Sequence, residues 1–464
     1  MVYYVIIILC IGVLSIALIY LKHPFIRFAY ATTSLLNVMM DRSLDEDAKQ
    51  KVMINKLILL LKEFSIFLLL LTISFLLAIV PLGIYLLVSK MSYEDLDTHS
   101  IYFYLSIILG SIVLFVFPKR DKDQDYNDWT KLLHRMILDN YNISRGLFNF
   151  ERKRYKKKLG NANNNFVIVT GLARGGTTAI TNLLYETNKF YSLSYNNMPF
   201  LLSVNLWSKF YNPKNNKLKE RAHGDNIKFG YKTIEALEEY FYKTHLNDSF
   251  IKENTLIKHD ITPEIYDKYI TYQKLIRLKN KNKIYLAKNN NLILRYNALR
   301  KFNKDFHIMM MLRNPLEHAE SLMKQHKKFL KKHEEDSFSL EYMNWLGHHE
   351  FGLNHKPFQL TDTKKSKYPI NSLDYWVNCW VEYYNYVLKI INEDQKLYII
   401  DYIDLCLKPE KIIDFISDLL NIKVDTLDLK PYNQPVKKFV EIDNNLLKES
   451  NEIYNELLTK KVQL

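Results

Sequence analysis

The sequence predicts an α/β fold, a mainly parallel central sheet flanked by helices, preceded by an all-α transmembrane region. Three observations predict it. Short apolar runs at residues 166–170, 284–287, 307–312 and 397–401 alternate with amphipathic stretches. That alternation marks parallel strands joined by crossover helices. Residues 166–184 read as strand, glycine-rich turn, helix. Three uncharged apolar stretches, at about 2–21, 64–89 and 100–118, precede that turn, each reaching the ~20 residues that cross a ~30 Å hydrocarbon core.

The elements follow in order. The first apolar stretch lacks a basic start and a small-residue cleavage site, so it reads as a retained anchor. The second is interrupted only by Pro81. Lys22, Arg27, Arg42, Lys49, Lys51, Lys56 and Lys62 separate the first two stretches, whereas Lys90 stands with Glu94, Asp95 and Asp97 before the third. Lys119, Arg120 and Lys122 follow the third. Basic residues stay on the cytoplasmic side, so a multi-pass protein with a cytoplasmic C-terminal domain is expected. The expected division is a membrane region over 1–118, a basic linker over 119–160 and an α/β domain over 161–464. Arg152 to Lys158 form a dense basic run, fit either for anionic head groups or for a solvated face. The sequons at Asn142 and Asn247 would go unused in the cytoplasm.

The chain has 464 residues and a formal net charge of +14. That suits an anionic ligand or an anionic membrane face. No zinc-finger spacing, RNA-binding aromatic signature or basic repeat points to nucleic acid. Cys10, Cys379 and Cys406 lie far apart and form neither a disulfide framework nor a metal motif.

The turn carries the chemistry. Gly171, Gly175 and Gly176 let the backbone bring its N–H groups close to a ligand, and a helix begins at Thr177. Such a turn suits a phosphate or sulfate. Its spacing is that of a P-loop, but Thr177 stands where nucleotide hydrolases carry lysine. The basic residue sits earlier, at Arg174.

These residues resemble a known family. The loop from Gly171 to Thr178 looks like the 5′-phosphosulfate loop of sulfotransferases. Arg313-Asn-Pro315 with Ser321 eight positions on resembles the family's second motif. Tyr375-Trp376, Trp380, and Asp401 to Leu405 followed by Lys408-Pro-Glu410 are similar to its C-terminal pattern. Arg221 to Asp225 and His348 to Gly352 look like stretches of a bacterial branch. Gly175 departs from the usual Ser or Thr, so one side-chain contact is missing.

The resemblance implies a P-loop-like sulfotransferase fold over residues 165–460, with 3′-phosphoadenylyl sulfate as donor. It implies that Arg174, Thr177, Thr178 and the amides of Gly171, Gly175 and Gly176 cradle the phosphosulfate. Arg313 and Ser321 would hold the 3′-phosphate. Arg174 would stabilise the leaving group, because sulfuryl transfer depends on positioning and charge neutralisation. No metal is expected. Lys288 closes a predicted strand and is either a reactive-centre or a surface lysine.

Three sets compete for the general base: His223 with Asp225, the favoured pair; Glu235, Glu238 and Glu239; and His348, His349 and Glu350. Membrane attachment favours a lipid, glycolipid or glycan-linked acceptor with a hydroxyl or amine, and membrane lipids as partners. Oligomeric state is not legible. The competing functions are a P-loop kinase or NTPase and a non-catalytic nucleotide-binding scaffold.

Overall fold

The computed structural model of the chain describes residues 2–41, 45–92, 96, 98, 100–111, 128–160, 165–211, 219–220, 228–229, 234–361, 366–424 and 442–464. It divides into two compact units, Met1–Ile143 and Ser144–Leu464.

The first unit is helical among its described residues. Its helices are Val2–Tyr20, Lys22–Met40, Glu46–Ser89, Ile101–Ser111 and Asp128–Leu138, with a further helix, Tyr141–Tyr155, starting at its end. Val2–Tyr20 and Glu46–Ser89 are each long and apolar enough to cross a membrane. The second holds 44 residues, about 66 Å at 1.5 Å per residue and well beyond one hydrocarbon core. The Asp45 side chain caps its start, accepting from the Ala48 amide at 3.1 Å. Charged residues fill its first half, and the uncharged stretch begins at Phe64. It runs through Pro81 without ending. Glu63 at the border accepts from Arg27 at 3.0 Å. The stretch expected as a third span appears as Ile101–Ser111, which at about 16 Å is too short by itself to cross a bilayer. Residues 112–118 lie outside the described residues.

The second unit is built on a five-stranded sheet. Its strands are β1 (Val167–Thr170), β2 (Phe190–Tyr191), β6 (Ile284–Lys288), β7 (His307–Leu312) and β9 (Leu397–Asp401), in the order β2-β6-β1-β7-β9. Every pairing is parallel. Two small pairs join it among the described residues: β3 (Lys219–Glu220) with β4 (Lys228–Phe229), and β5 (Leu256–Ile257) with β8 (Phe358–Gln359). The sheet strands are apolar but for residues at their ends, because helices cover both faces. On one face Val167, Val169, Met309 and Met311 pack with Ile180 and Leu184 of helix Thr177–Glu186 and with Ile412 and Ile416 of helix Pro409–Leu420. On the other, helix Leu373–Ile391 points Tyr383 Oη at Met310 Sδ, 3.8 Å away. Phe166 stacks on Phe306 with centroids 4.7 Å apart.

The parallel arrangement puts four strand ends on one edge: the turn after β1, Lys288 ending β6, Arg313 after β7, and Asp401 ending β9. Ligands of such sheets bind at this carboxyl edge.

Helix Tyr141–Tyr155 enters the domain through Glu151. Its buried carboxylate accepts from Asn205 Nδ2 at 2.8 Å and from the Leu206 amide at 2.8 Å. The basic run then continues into the short turn Lys156–Lys158, with Lys153, Arg154 and all three of those lysines exposed. Part of the segment read as a linker is therefore helical.

One buried ion pair anchors the segment that leads into the site. Arg295 and Glu239, both essentially inaccessible, form a two-bond fork at 2.7 and 2.5 Å. The guanidinium also lies 4.0 Å from the Tyr242 ring centroid. Removing one partner of such a pair strands the other charge without solvent. Glu239→Ala is expected to lower unfolding free energy by about 3–5 kcal/mol; chemical denaturation measures it, and a change under 1 kcal/mol would contradict a structural role.

Candidate active site

The loop follows β1 directly. Gly176 has φ +97°, and a Cβ there would sit 2.8 Å from Tyr402 Cδ2. Only glycine meets both demands without displacing the ring. Gly176→Ala is expected to weaken nucleotide binding about 10-fold or more, since strain of 1–3 kcal/mol falls on the cradle. Calorimetric titration measures that loss, and unchanged affinity would refute the crowding. Arg174 also has a left-handed backbone, φ +68°. A non-glycine residue held there stores about 1 kcal/mol, typical of positions fixed by a site.

Gly175 has a physical explanation. A Cβ there would meet the Leu172 carbonyl at 3.0 Å and His318 Cε1 at 3.1 Å. His318, on helix Pro315–Glu335, fills the space a side chain would need. Its Nε2–H donates to the Ala173 carbonyl at 2.8 Å, bracing the loop from behind. Burial holds the ring neutral, with its pKa down to about 3. The sequence gives no sign of this brace beyond a histidine four positions after Asn314.

The second motif converges on the same loop. Arg313 Nη1 donates to the Arg174 carbonyl at 3.0 Å, and Arg174 Nε donates to Ser321 Oγ at 3.3 Å. The Arg313 guanidinium lies 4.4 Å from the Tyr402 ring centroid and is buried, yet among the described residues its Nε has no hydrogen-bond partner. A buried cation with an unused donor is costly unless an anion completes it. Helix Leu373–Ile391 fixes the strand end that carries it. Trp380 Nε1 donates to the Arg313 carbonyl at 3.2 Å, and Tyr384 Oη donates to the Met311 carbonyl at 2.7 Å.

Lys288 comes from the other side. Its ammonium donates to Thr178 Oγ1 at 2.7 Å and pairs with the buried carboxylate of Glu235. The surface reading of Lys288 is thereby overturned: it is 7% exposed and touches the loop. The three candidate glutamates part company. Glu239 belongs to the Arg295 pair. Glu238 accepts from Tyr269 Oη at 2.8 Å, Tyr285 Oη at 2.7 Å and Asn289 Nδ2 at 3.0 Å, and burial raises its pKa. Glu235 alone of the three meets Lys288.

The third set is partly structural. His349 Nδ1–H donates to the Asn354 carbonyl at 3.1 Å, and burial lowers its pKa to about 4. Glu350 accepts from Asn290 Nδ2 at 3.2 Å, two residues past Lys288. Burial raises its carboxyl, but neighbouring His348, 3.5 Å away, outweighs that and brings it down to about 2. A carboxylate that acidic is a poor base. His223 and Asp225 lie outside the described residues.

Loop, cation pair and lysine–glutamate pair make an anion cradle with a carboxylate beside it. A family model described as "Sulfotransferase domain" matches residues 164–450, more than half of the chain. The chain belongs to the sulfotransferase family. This sulfotransferase resembles solved structures of other members. Sulfotransferase STF1 from Mycobacterium tuberculosis H37Rv is 15% identical, with 70% of this chain and 80% of that one covered and a TM-score of 0.37. Sulfotransferase STF9 from Mycobacterium avium is 11% identical over 77% and 82%, with a TM-score of 0.39. A sulfotransferase from Alicyclobacillus acidocaldarius is 13% identical over 64% and 97%, with a TM-score of 0.32. No curated protein matches this sulfotransferase.

The buried rings near the site make stability pH-dependent. Burial lowers His318 to about 3 and His326 and His349 to about 4, from 6.5. Between pH 6.5 and 4 the unfolded chain therefore binds more protons than the folded one. The stability these neutral rings lend is complete above 6.5 and fades as pH falls. Going from pH 7.5 to 5.5 is expected to remove about 1 kcal/mol per histidine. Thermal melts across that range measure it, and a flat profile would contradict it.

Proposed function

We propose that this enzyme takes its sulfuryl group from 3′-phosphoadenylyl sulfate and delivers it to a hydroxyl, or an amine, of a membrane-linked acceptor. One observation carries the donor assignment: a buried Arg313 whose Nε, among the described residues, has no partner beside the glycine loop. That donor set fits a nucleotide with two separate anionic groups. The amides of Gly175 and Gly176, the start of helix Thr177–Glu186 and Arg174 suit the phosphosulfate. Arg313 and Ser321 suit a 3′-phosphate, which a guanidinium grips as a fork.

Bound there, the donor supplies the sulfuryl group and departs as adenosine 3′,5′-bisphosphate. The protein's residues position and neutralise. Lys288, shared between Thr178 and Glu235, sits where it can steady charge gathering on the departing phosphate. Glu235 takes the proton of the attacking acceptor group as general base. Exposed apolar side chains on helix Glu46–Ser89, such as Leu69, Leu76 and Leu87, support membrane anchoring, with the catalytic domain on the cytoplasmic side. The basic run around Lys156–Lys158 suits anionic head groups there.

Incubating the purified full chain with labelled donor and membrane extract tests this reading. Labelled lipid or glycan product is expected. No product and no binding of the bisphosphate would overturn it, as would magnesium-dependent ATP turnover that survives Arg174→Ala.

A further inference from the structure

Residues 461–464 lie beside β9, at one edge of the sheet. Lys461 pairs in parallel with Ile399 of that strand, and the Val462 amide donates to the Ile399 carbonyl at 3.0 Å. Val462 and Leu464 pack into the core with Ile400 and Ile412. The tail thus gives an edge strand a backbone partner and buries its own apolar side chains there.

Lys461 ties this tail to the donor site. Its ammonium donates to Asp404 Oδ2 at 2.6 Å and stands 4.0 Å from Asp401 Oδ2. The two carboxylates bracket Tyr402. Asp401 ends β9 and caps the helix Tyr402–Leu407, accepting from the Ile403 amide at 3.4 Å. A helix of six residues does not hold itself in place, so ties from outside fix it. Burial raises the Asp401 carboxyl, while the Ile403 amide and the Lys461 ammonium favour the charged form that caps.

Tyr402 touches both parts of the donor site. Its ring centroid lies 4.4 Å from the Arg313 guanidinium, and its edge covers Gly176, where a Cβ would come within 2.8 Å. The helix before the tail, Asn444–Thr459, reaches the same place by a second route. Its Tyr454 ring lies 6.4 Å from that of Trp380, which holds the Arg313 carbonyl.

We propose that Lys461 is a positioning residue for donor binding: by tying Asp404 and Asp401 to the docked tail it sets the Tyr402 ring, and through that ring the placement of Arg313 against the glycine loop. The proposal rests on the donor reading above and adds to it a residue that acts through another. A ring held in one place keeps the two anion-binding groups at one separation before the nucleotide arrives, so less ordering is left to binding. Without the ammonium, Asp401 and Asp404 repel each other across the first turn of a short helix, and the ring between them loses its fixed place.

Titration of the full chain in detergent with adenosine 3′,5′-bisphosphate tests this. Lys461→Met is expected to raise the Kd at least about 5-fold, the loss of a preorganised site. Lys461→Arg keeps charge and reach, and is expected to bind within about 2-fold of wild type. In a Tyr402→Leu background the same Lys461→Met change is expected to alter Kd by less than about 2-fold, because the ring through which it acts is gone. A cooperative thermal melt shows that each variant is folded; if Lys461→Met is not, Asp404→Asn takes its place, with the same loss expected. Unchanged affinity in Lys461→Met overturns the proposal. So does an equal loss with and without the Tyr402 ring, a loss in Lys461→Arg as large as in Lys461→Met, or a gain in affinity in Asp404→Asn. Failure of the wild type to bind bisphosphate strikes the donor reading instead.

Discussion

Arg313→Ala weakens binding of adenosine 3′,5′-bisphosphate by about 2–5 kcal/mol, roughly 30-fold to several thousandfold. The expectation follows from what Arg313 already does and lacks. Its carbonyl is held by Trp380, its Nη1 reaches the Arg174 carbonyl, and its Nε is buried without a partner among the described residues. The guanidinium is therefore placed before any ligand arrives, and little ordering remains to be done on binding. Folding stability should behave oppositely to affinity. Removing a buried cation that no carboxylate among the described residues pairs with costs the unliganded fold little, and melting temperature without nucleotide should stay close to wild type. A variant that loses both affinity and folding would mean that Arg313 acts as scaffold.

Glu235→Gln is expected to lower kcat by about 10²–10⁴-fold, the usual contribution of a positioned general base, with bisphosphate affinity nearly unchanged. The substitution keeps shape and hydrogen bonding to Lys288 but removes the proton acceptor. Lys288→Met should differ in kind: it removes the bond to Thr178 Oγ1 and should affect both kcat and donor binding. Single-turnover kinetics with saturating donor separate the two. If Glu235→Gln keeps full kcat while His223→Ala loses it, the base is His223 and the carboxylate merely holds the lysine.

Four of the five sheet strands were legible because each is a short apolar run of β-branched, aromatic or methionine side chains bounded by polar punctuation; the two-residue β2, Phe190–Tyr191, is too short to show such a run. The runs at 307–312 and 397–401 coincide with β7 and β9, and the 284–287 run extends one residue to Lys288. The loop was legible because three glycines at fixed spacing have a backbone meaning. The separation of Glu235, Glu238 and Glu239 was not legible. They lie within five residues, and partners such as Lys288, Tyr285 and Arg295, about fifty residues downstream, tell them apart. The role of His318 was hidden for the same reason, since its partner is a backbone carbonyl 145 residues away. The second apolar stretch lies inside a longer helix. It marks where charges stop, whereas the helix itself begins 18 residues earlier, at Glu46.

The central claim is that two cations sort a nucleotide by its second phosphate. Calorimetric titration of wild type and Arg313→Ala with adenosine 3′,5′-bisphosphate and with adenosine 5′-monophosphate tests it most directly. Wild type is predicted to prefer the bisphosphate by at least about 30-fold, and Arg313→Ala to lose most of that preference. Equal affinity of wild type for the two nucleotides, or a preference that survives in Arg313→Ala, would contradict it.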